Sequence, residues 1–180
     1  MPVENTRTPM RLSRRSLIAA VSSMLVTVLA TVGVFYAAGW LTFVQPNRQA
    51  MIHDMGSQVM PFDLTKTTHV FKMTVTGGLQ QVIAKDPADT AQIGLIQQHV
   101  QHEAILFRSG DFSDPAALHG GNMPGVNELT AGVAQISIEY AVLPNGAQIT
   151  FTTHDLNLVT ALHQWFGAQL SDHGQDATYQ

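Results

Sequence analysis

The sequence has no cysteine among its 180 residues. Disulfides, thiolate metal ligands and cysteine nucleophiles are therefore excluded, and any soft-metal site must be built from methionine and histidine. Charge is sparse, at 12% of residues. From Gln45 onward five Lys or Arg stand against twelve Asp or Glu. A segment this acidic has nothing to offset phosphate repulsion, so a nucleic-acid partner is not expected. Familiar catalytic strings are missing too: no His-Glu-x-x-His, no Gly-x-Ser-x-Gly, no Walker loop and no Rossmann fingerprint. Asp111 and Asp114 are paired carboxylates, but so small a domain makes a poor glycosidase. A binding protein is thus expected ahead of an enzyme.

Charge is wholly absent from residues 16–44. A helix of about 20 apolar residues spans a bilayer core, so this run predicts one transmembrane helix. Arg7, Arg11, Arg14 and Arg15 precede it against Glu4 alone, and only Arg48 follows closely. That asymmetry predicts a single-pass protein of the inner (cytoplasmic) membrane, N-terminus in the cytoplasm and C-terminal domain in the periplasm. Tyr36 and Trp40 would mark the outer interface. The competing reading is a cleaved export signal, since Ser13-Arg14-Arg15-Ser16-Leu17-Ile18 has twin-arginine character. The apolar run is longer than a signal core and ends in no Ala-x-Ala site, which favours the anchor.

The expected organisation is a cytoplasmic tail at 1–15, the membrane helix at 16–44, a connector at 45–60, a folded domain at 61–174 and a flexible tail at 175–180. In the connector, Pro46-Asn47 reads as a helix stop and 49–52 as a short turn. Residues 67–75 alternate, with His69, Phe71, Met73 and Val75 on one side, which predicts a half-buried strand. Gly77-Gly78 reads as its turn and 79–84 as the return strand. Asp86-Pro87 reads as a helix start, with Ile93, Ile96, Val100, Ala104 and Phe107 as the apolar stripe. Residues 110–132 form a Gly/Pro/Asp-rich stretch with helical turns near Ala116 and Val126. A second hairpin follows around Asn145-Gly146, then a helix capped by Asp155. The order ββα-loop-ββα predicts an α+β fold: a four-stranded antiparallel sheet of two hairpins with two main helices on one face.

Histidine and methionine carry the candidate chemistry, with eight of each in the chain. His69 and Met73 flank Phe71 on one strand face, an imidazole and a thioether of the kind that ligate copper or haem iron. The alternative is a hydrogen-bonded core histidine and a gap-filling methionine. His99 lies at the edge of its helix's apolar stripe, and His102 nearly opposite it, in solvent. His119 and Met123 share the long loop, whose glycines either admit a ligand closely or serve only turn geometry. His163 flanks the stripe of the last helix. Asp172-His173-Gly174 follows, where the helix dipole favours a histidine.

Several of these strings together carry a resemblance. They are Met60-Pro61-Phe62, Thr68-His69-Val70-Phe71, Gly110-Asp111-Phe112-Ser113-Asp114-Pro115, His119 with Met123-Pro124-Gly125, Ala161-Leu162-His163-Gln164-Trp165-Phe166, and Ser171-Asp172-His173-Gly174. Across 60–177 the chain resembles a family of small exported bacterial proteins that often carry the automatic label "aspartate carbamoyltransferase". The label conflicts with the residues. A carbamoyltransferase is about twice as long and opens a helix with a Ser-Thr-Arg-Thr phosphate loop. The only similar string here is Asn5-Thr6-Arg7-Thr8. The resemblance implies an exported domain built around His69, His119, Met123 and His163.

The function expected from these residues is a membrane-anchored periplasmic domain that binds a metal, copper before zinc, or haem. Its ligands would come from His69, Met73, His99, His119, Met123 and His163, with His69, His119, Met123 and His163 also the candidates for holding haem. The alternative is a non-catalytic accessory subunit of a membrane complex, in which the histidines scatter as isolated hydrogen-bonders.

Overall fold

The computed structural model describes residues 46–179, together with Thr27 and Ala30. The chain divides into two units, Met1–Val44 and Gln45–Gln180; the second is described here. Among the described residues no helix is long and apolar enough to cross a membrane. The longest, at 19 residues, carries His99, His102, Glu103 and Arg108 and is amphipathic. On that finding the expected single-pass location, anchored in the inner membrane with a periplasmic domain, is corrected. The expected span at 16–44 lies, apart from Thr27 and Ala30, outside the described residues.

Helix α1 runs Pro46–Val59, where a connector with one short turn was expected. Pro46 does not stop a helix here. It opens one, at the position where a missing N–H costs nothing. A 3-10 turn follows at Leu64–Lys66, capped by the Asp63 carboxylate. Strands β1 (Thr67–Thr74) and β2 (Gly77–Ala84) form the first hairpin. Helix α2 spans Thr90–Arg108, and its N-cap is Asp89 instead of the expected Asp86. Two short helices, α3 (Ser113–His119) and α4 (Val126–Gly132), occupy the stretch expected to be mainly loop. Strands β3 (Ser137–Leu143) and β4 (Gly146–Thr152) make the second hairpin. Helix α5 (Leu156–His173) starts at Asp155, which accepts from the Asn157 and Leu158 amides as expected. Strand β5 (Ala177–Tyr179) ends the fold.

The sheet has five strands in the order β3-β4-β2-β1-β5. Its first three pairings are antiparallel, and β5 runs parallel to β1, with His69 opposite Ala177. The expectation of four antiparallel strands and two main helices is therefore corrected, for residues 46–179, to a five-stranded mixed sheet with five α-helices. Both hairpins form, but their turns are shifted from the expected ones: the first is at Val75-Thr76, with Gly77-Gly78 inside β2, and the second at Pro144-Asn145, with Gly146 opening β4. The difference in strand number arises at residues expected to be a flexible tail. The outer edge of β1 offers unpaired N–H and C=O groups, and α5 returns the chain alongside it in the parallel sense.

Register places the helix-facing residues in rows across the sheet. Phe71, Gln80 and Ile149 are neighbours, as are His69, Val82 and Ala147, and Met73, Gly78 and Phe151. Helices α2 and α5 pack over this face. Phe107 meets Phe151 at 6.0 Å, and Phe166 meets Phe71 at 5.1 Å between ring centres. Trp165 is fully buried and meets Phe107, Phe112 and Phe151 edge-on at 5.5, 5.3 and 5.8 Å. Each such pair adds roughly 0.5–1.5 kcal/mol beyond burial, which makes this cluster the firm end of the core. Phe112 joins it from the loop before α3, so the 110–132 segment is packed and fixed in place.

Candidate histidine pocket

A pocket opens beside that core, lined by side chains of the sheet and of four helices. Its floor is a contiguous patch of sheet: His69, Val82, Gln80 and Ile149. Its walls come from four helices. Helix α2 contributes His99, Glu103 and Phe107, each four residues apart and so on one face. Helix α3 contributes Asp114, Leu118 and His119, α5 contributes Gln169 and His173, and the end of α1 contributes Val59.

The two helices α3 and α5 both end on a histidine followed by a glycine with positive φ, +96° at Gly120 and +55° at Gly174. Those glycines adopt backbone conformations that side-chain-bearing residues rarely adopt, and they end the helices where the imidazoles reach the pocket. His173 is stacked on His69, with ring centres 4.8 Å apart and planes 12° from parallel. His119 meets His173 edge-on at 4.9 Å. Phe62 covers the other side, 6.1 Å from His69 and 5.5 Å from His99.

Behind His119 lies a charged support. Asp172 Oδ2 is 3.0 Å from His119 Nδ1. Arg48 grips the same carboxylate with two bonds, Nε to Oδ1 at 2.6 Å and Nη2 to Oδ2 at 2.5 Å, and donates to the His119 carbonyl at 2.8 Å. Burial works to raise the Asp172 pKa, but the Arg48 and His119 hydrogen bonds outweigh it and the pKa is lowered. An ionised Asp172 accepts from His119 Nδ1–H, which leaves the lone pair of the ring on Nε2.

Burial keeps the imidazoles neutral. It lowers His119 despite the pull of Asp172, lowers His99 despite Asp114, and pushes His173 down to about 4. His69 lies well below its ordinary value, through burial first and then the neighbouring His173 and His99. The helix dipole favours a charged histidine at a C-terminus, and at His119 and His173 desolvation wins. Glu103 moves the opposite way. Burial first, then a hydrogen bond to Asp114 and that residue's charge, push it up to about 8, so it holds its proton at neutral pH.

Four buried polar atoms on the lining have no partner: His69 Nδ1, Gln80 Oε1, Glu103 Oε1 and Gln169 Nε2. Each costs about 1–3 kcal/mol if nothing satisfies it. Concentrating such atoms in one pocket is the signature of a site that takes a polar guest.

The pocket gathers three of the residues singled out from the sequence, His69, His99 and His119. Met73 is half-buried against the core, and Met123 is a buried core residue. Neither lies on the lining. His163 serves the first hairpin, its Nε2 at 3.1 Å from the Thr74 carbonyl and 2.9 Å from that of Gly77. Gly120 and Gly125 of the 120–125 loop have positive φ. A Cβ at Gly125 would lie 2.0 Å from the Ala161 carbonyl, while Gly120 and Gly121 face open space. Among the described residues no group of three or more His, Cys, Asp or Glu is placed to hold a metal ion.

Sequence reasoning missed Glu103 and Gln169, named Asp114 only as half of a carboxylate pair, took His173 as a dipole-favoured helix-end group, and did not connect Arg48 to Asp172. One signal was available. Glu103 sits three residues after Val100 and four before Phe107, inside the apolar stripe of α2. No family model, no curated protein and no solved structure matches this chain.

Proposed function

We propose that this pocket binds a small polar molecule and exchanges protons with it, His119 taking a proton and Glu103 giving one. The observation that carries the reading is the pairing of opposite environments in one pocket. A neutral histidine is oriented by an ionised aspartate, and a carboxyl group across the lining is held protonated. Titratable groups driven apart in this way are the usual mark of an acid and a base assigned to one task. Asp172 fixes the His119 tautomer so that Nε2 is the basic atom, and Arg48 holds Asp172 in place. Glu103 holds its proton on the oxygen bonded to Asp114, leaving Oε1 unpartnered, and gives that proton up when the hydroxyl turns from Asp114 into the pocket. Phe62 and the apolar lining limit water, which strengthens each interaction.

The test is a ligand screen on the full chain by NMR, followed by a search for chemical conversion of whatever binds. The reading expects binders to shift the His119 and Glu103 resonances. It also expects conversion of at least one binder to fall by roughly 10²–10⁴-fold in His119→Ala, the usual contribution of a positioned base. Binders that map elsewhere would contradict it.

A second reading, copper before zinc or haem, has one observation in its favour: neutral imidazoles are the ligating form, and Met60 adds a thioether to the lining. The parallel stacking of His69 on His173 counts against it, because stacked rings do not aim their nitrogens at one point. Metal content after loading with copper and zinc separates the two. An accessory-subunit role predicts dispersed histidines, and four in one pocket weigh against it.

A further inference from the structure

Resting on the reading that this pocket is the functional site, we infer that its guest is a small amine, bound as the ammonium ion, and that carboxylates and phosphates are rejected. Three of the four unpartnered atoms can accept. Gln80 Oε1 is an amide oxygen and Glu103 Oε1 the free oxygen of a carboxyl group. His69 Nδ1 accepts in the tautomer that carries its proton on Nε2.

An ammonium group brings three donors and no acceptor, which matches this set. The Asp114 carboxylate on the same lining adds attraction. No Lys or Arg is among the lining residues, and the nearby Arg48 already spends both arms of its fork on Asp172. An anion would therefore meet unpaired acceptors and a carboxylate with no cation to offset them, a desolvation cost that excludes it. The carbon skeleton lies against Val82, Phe107, Leu118 and Ile149, and Gln169 Nε2 is left to donate to an acceptor at the far end of the guest.

The probes are four molecules with one carbon skeleton: n-butylamine, butyramide, n-butanol and butyrate, titrated into the full chain at neutral pH and followed by histidine ring NMR. The expected order is butylamine first, at least tenfold tighter than butyrate, with shifts centred on His69. Gln80→Leu removes one acceptor and fills its place with carbon. It should weaken butylamine roughly tenfold, the share of one charge-assisted bond, and leave n-butanol unchanged. Tighter binding of butyrate, or equal binding of all four, overturns the amine assignment. If n-butanol or butyramide still shifts His119 and Glu103, the pocket reading stands and only the guest class falls. If none of the four shifts any lining residue, both fall.

Discussion

His119 Nδ1 stands 3.0 Å from Asp172 Oδ2, and the two residues are 53 positions apart in the chain. The contact joins the end of α3 to the last turn of α5. Arg48 completes it from α1, donating to both Asp172 and the His119 carbonyl. Three helices thus converge on one imidazole and set which of its nitrogens is basic.

The first prediction concerns that convergence. The Arg48 charge lowers the His119 pKa and the Asp172 charge raises it. Arg48→Met should therefore raise the His119 pKa, and Asp172→Asn should lower it further. Histidine NMR titration of the two variants measures both, and shifts of the same sign in the two would break the proposed support.

The second prediction is a stability maximum near pH 6–7. His173 titrates at about 4 in the folded chain against an ordinary 6.5. Between those values the unfolded chain binds a proton that the folded one refuses, so stability is lost as pH falls through the window, by roughly 3 kcal/mol for this group. His69, His99 and His119 act in the same direction. Glu103 acts in the opposite one. Its folded value of about 8 against 4.5 means the folded chain keeps a proton that the unfolded one has lost, so stability falls as pH rises, flattening above 8. Above about pH 7 the unfolded histidines have largely lost their protons and the Glu103 slope, at most about 1.4 kcal/mol per pH unit, prevails. Glu103→Gln should abolish the alkaline slope and keep the acid one, as read by urea unfolding at a series of pH values.

A third prediction separates the histidines by role. His163→Ala removes the group bridging the Thr74 and Gly77 carbonyls. It should cost about 1–3 kcal/mol of stability and leave ligand shifts at His69 and His119 unchanged. Met123→Ala should behave likewise, with a core-cavity cost of about 2–5 kcal/mol. Loss of pocket binding at matched foldedness in either variant would restore these residues to the site.

The fourth prediction tests the packing of α4 against α5. Gly125 has φ +82°, and a side chain there would collide with the Ala161 carbonyl at 2.0 Å. Gly125→Ala should destabilise the domain by roughly 2–4 kcal/mol, through strain and forced separation. Thermal unfolding reads it directly, and an unchanged midpoint would contradict the packing described.

Local signals were legible in the sequence where one residue type settles local geometry. Alternation around Phe71 and the Asp155 cap read correctly, and Asn145-Gly146 marked the second hairpin although its turn falls one residue earlier, at Pro144-Asn145. Long-range closures were not legible. Nothing near residue 177 announces a parallel partner at His69, and Pro46 reads equally as the end of one helix or the start of another. The pocket was half legible for the same reason. His69, His99 and His119 stood out by type and position. Glu103 and Asp172 look like ordinary solvated carboxylates until the fold buries one beside Asp114 and aims the other at Arg48. Methionine misled, since Met73 and Met123 sit at ligand-like spacings yet face the core.

The central claim, that one pocket holds a basic His119 opposite a protonated Glu103, is tested most directly by a pH titration of the full chain with labelled glutamate carboxyl and histidine ring nuclei. The account predicts that Glu103 stays protonated at pH 7 and titrates near 8. It also predicts that His119 is neutral there, with its proton on Nδ1. A Glu103 that ionises near 4.5, together with a His119 already charged at pH 7, would contradict it.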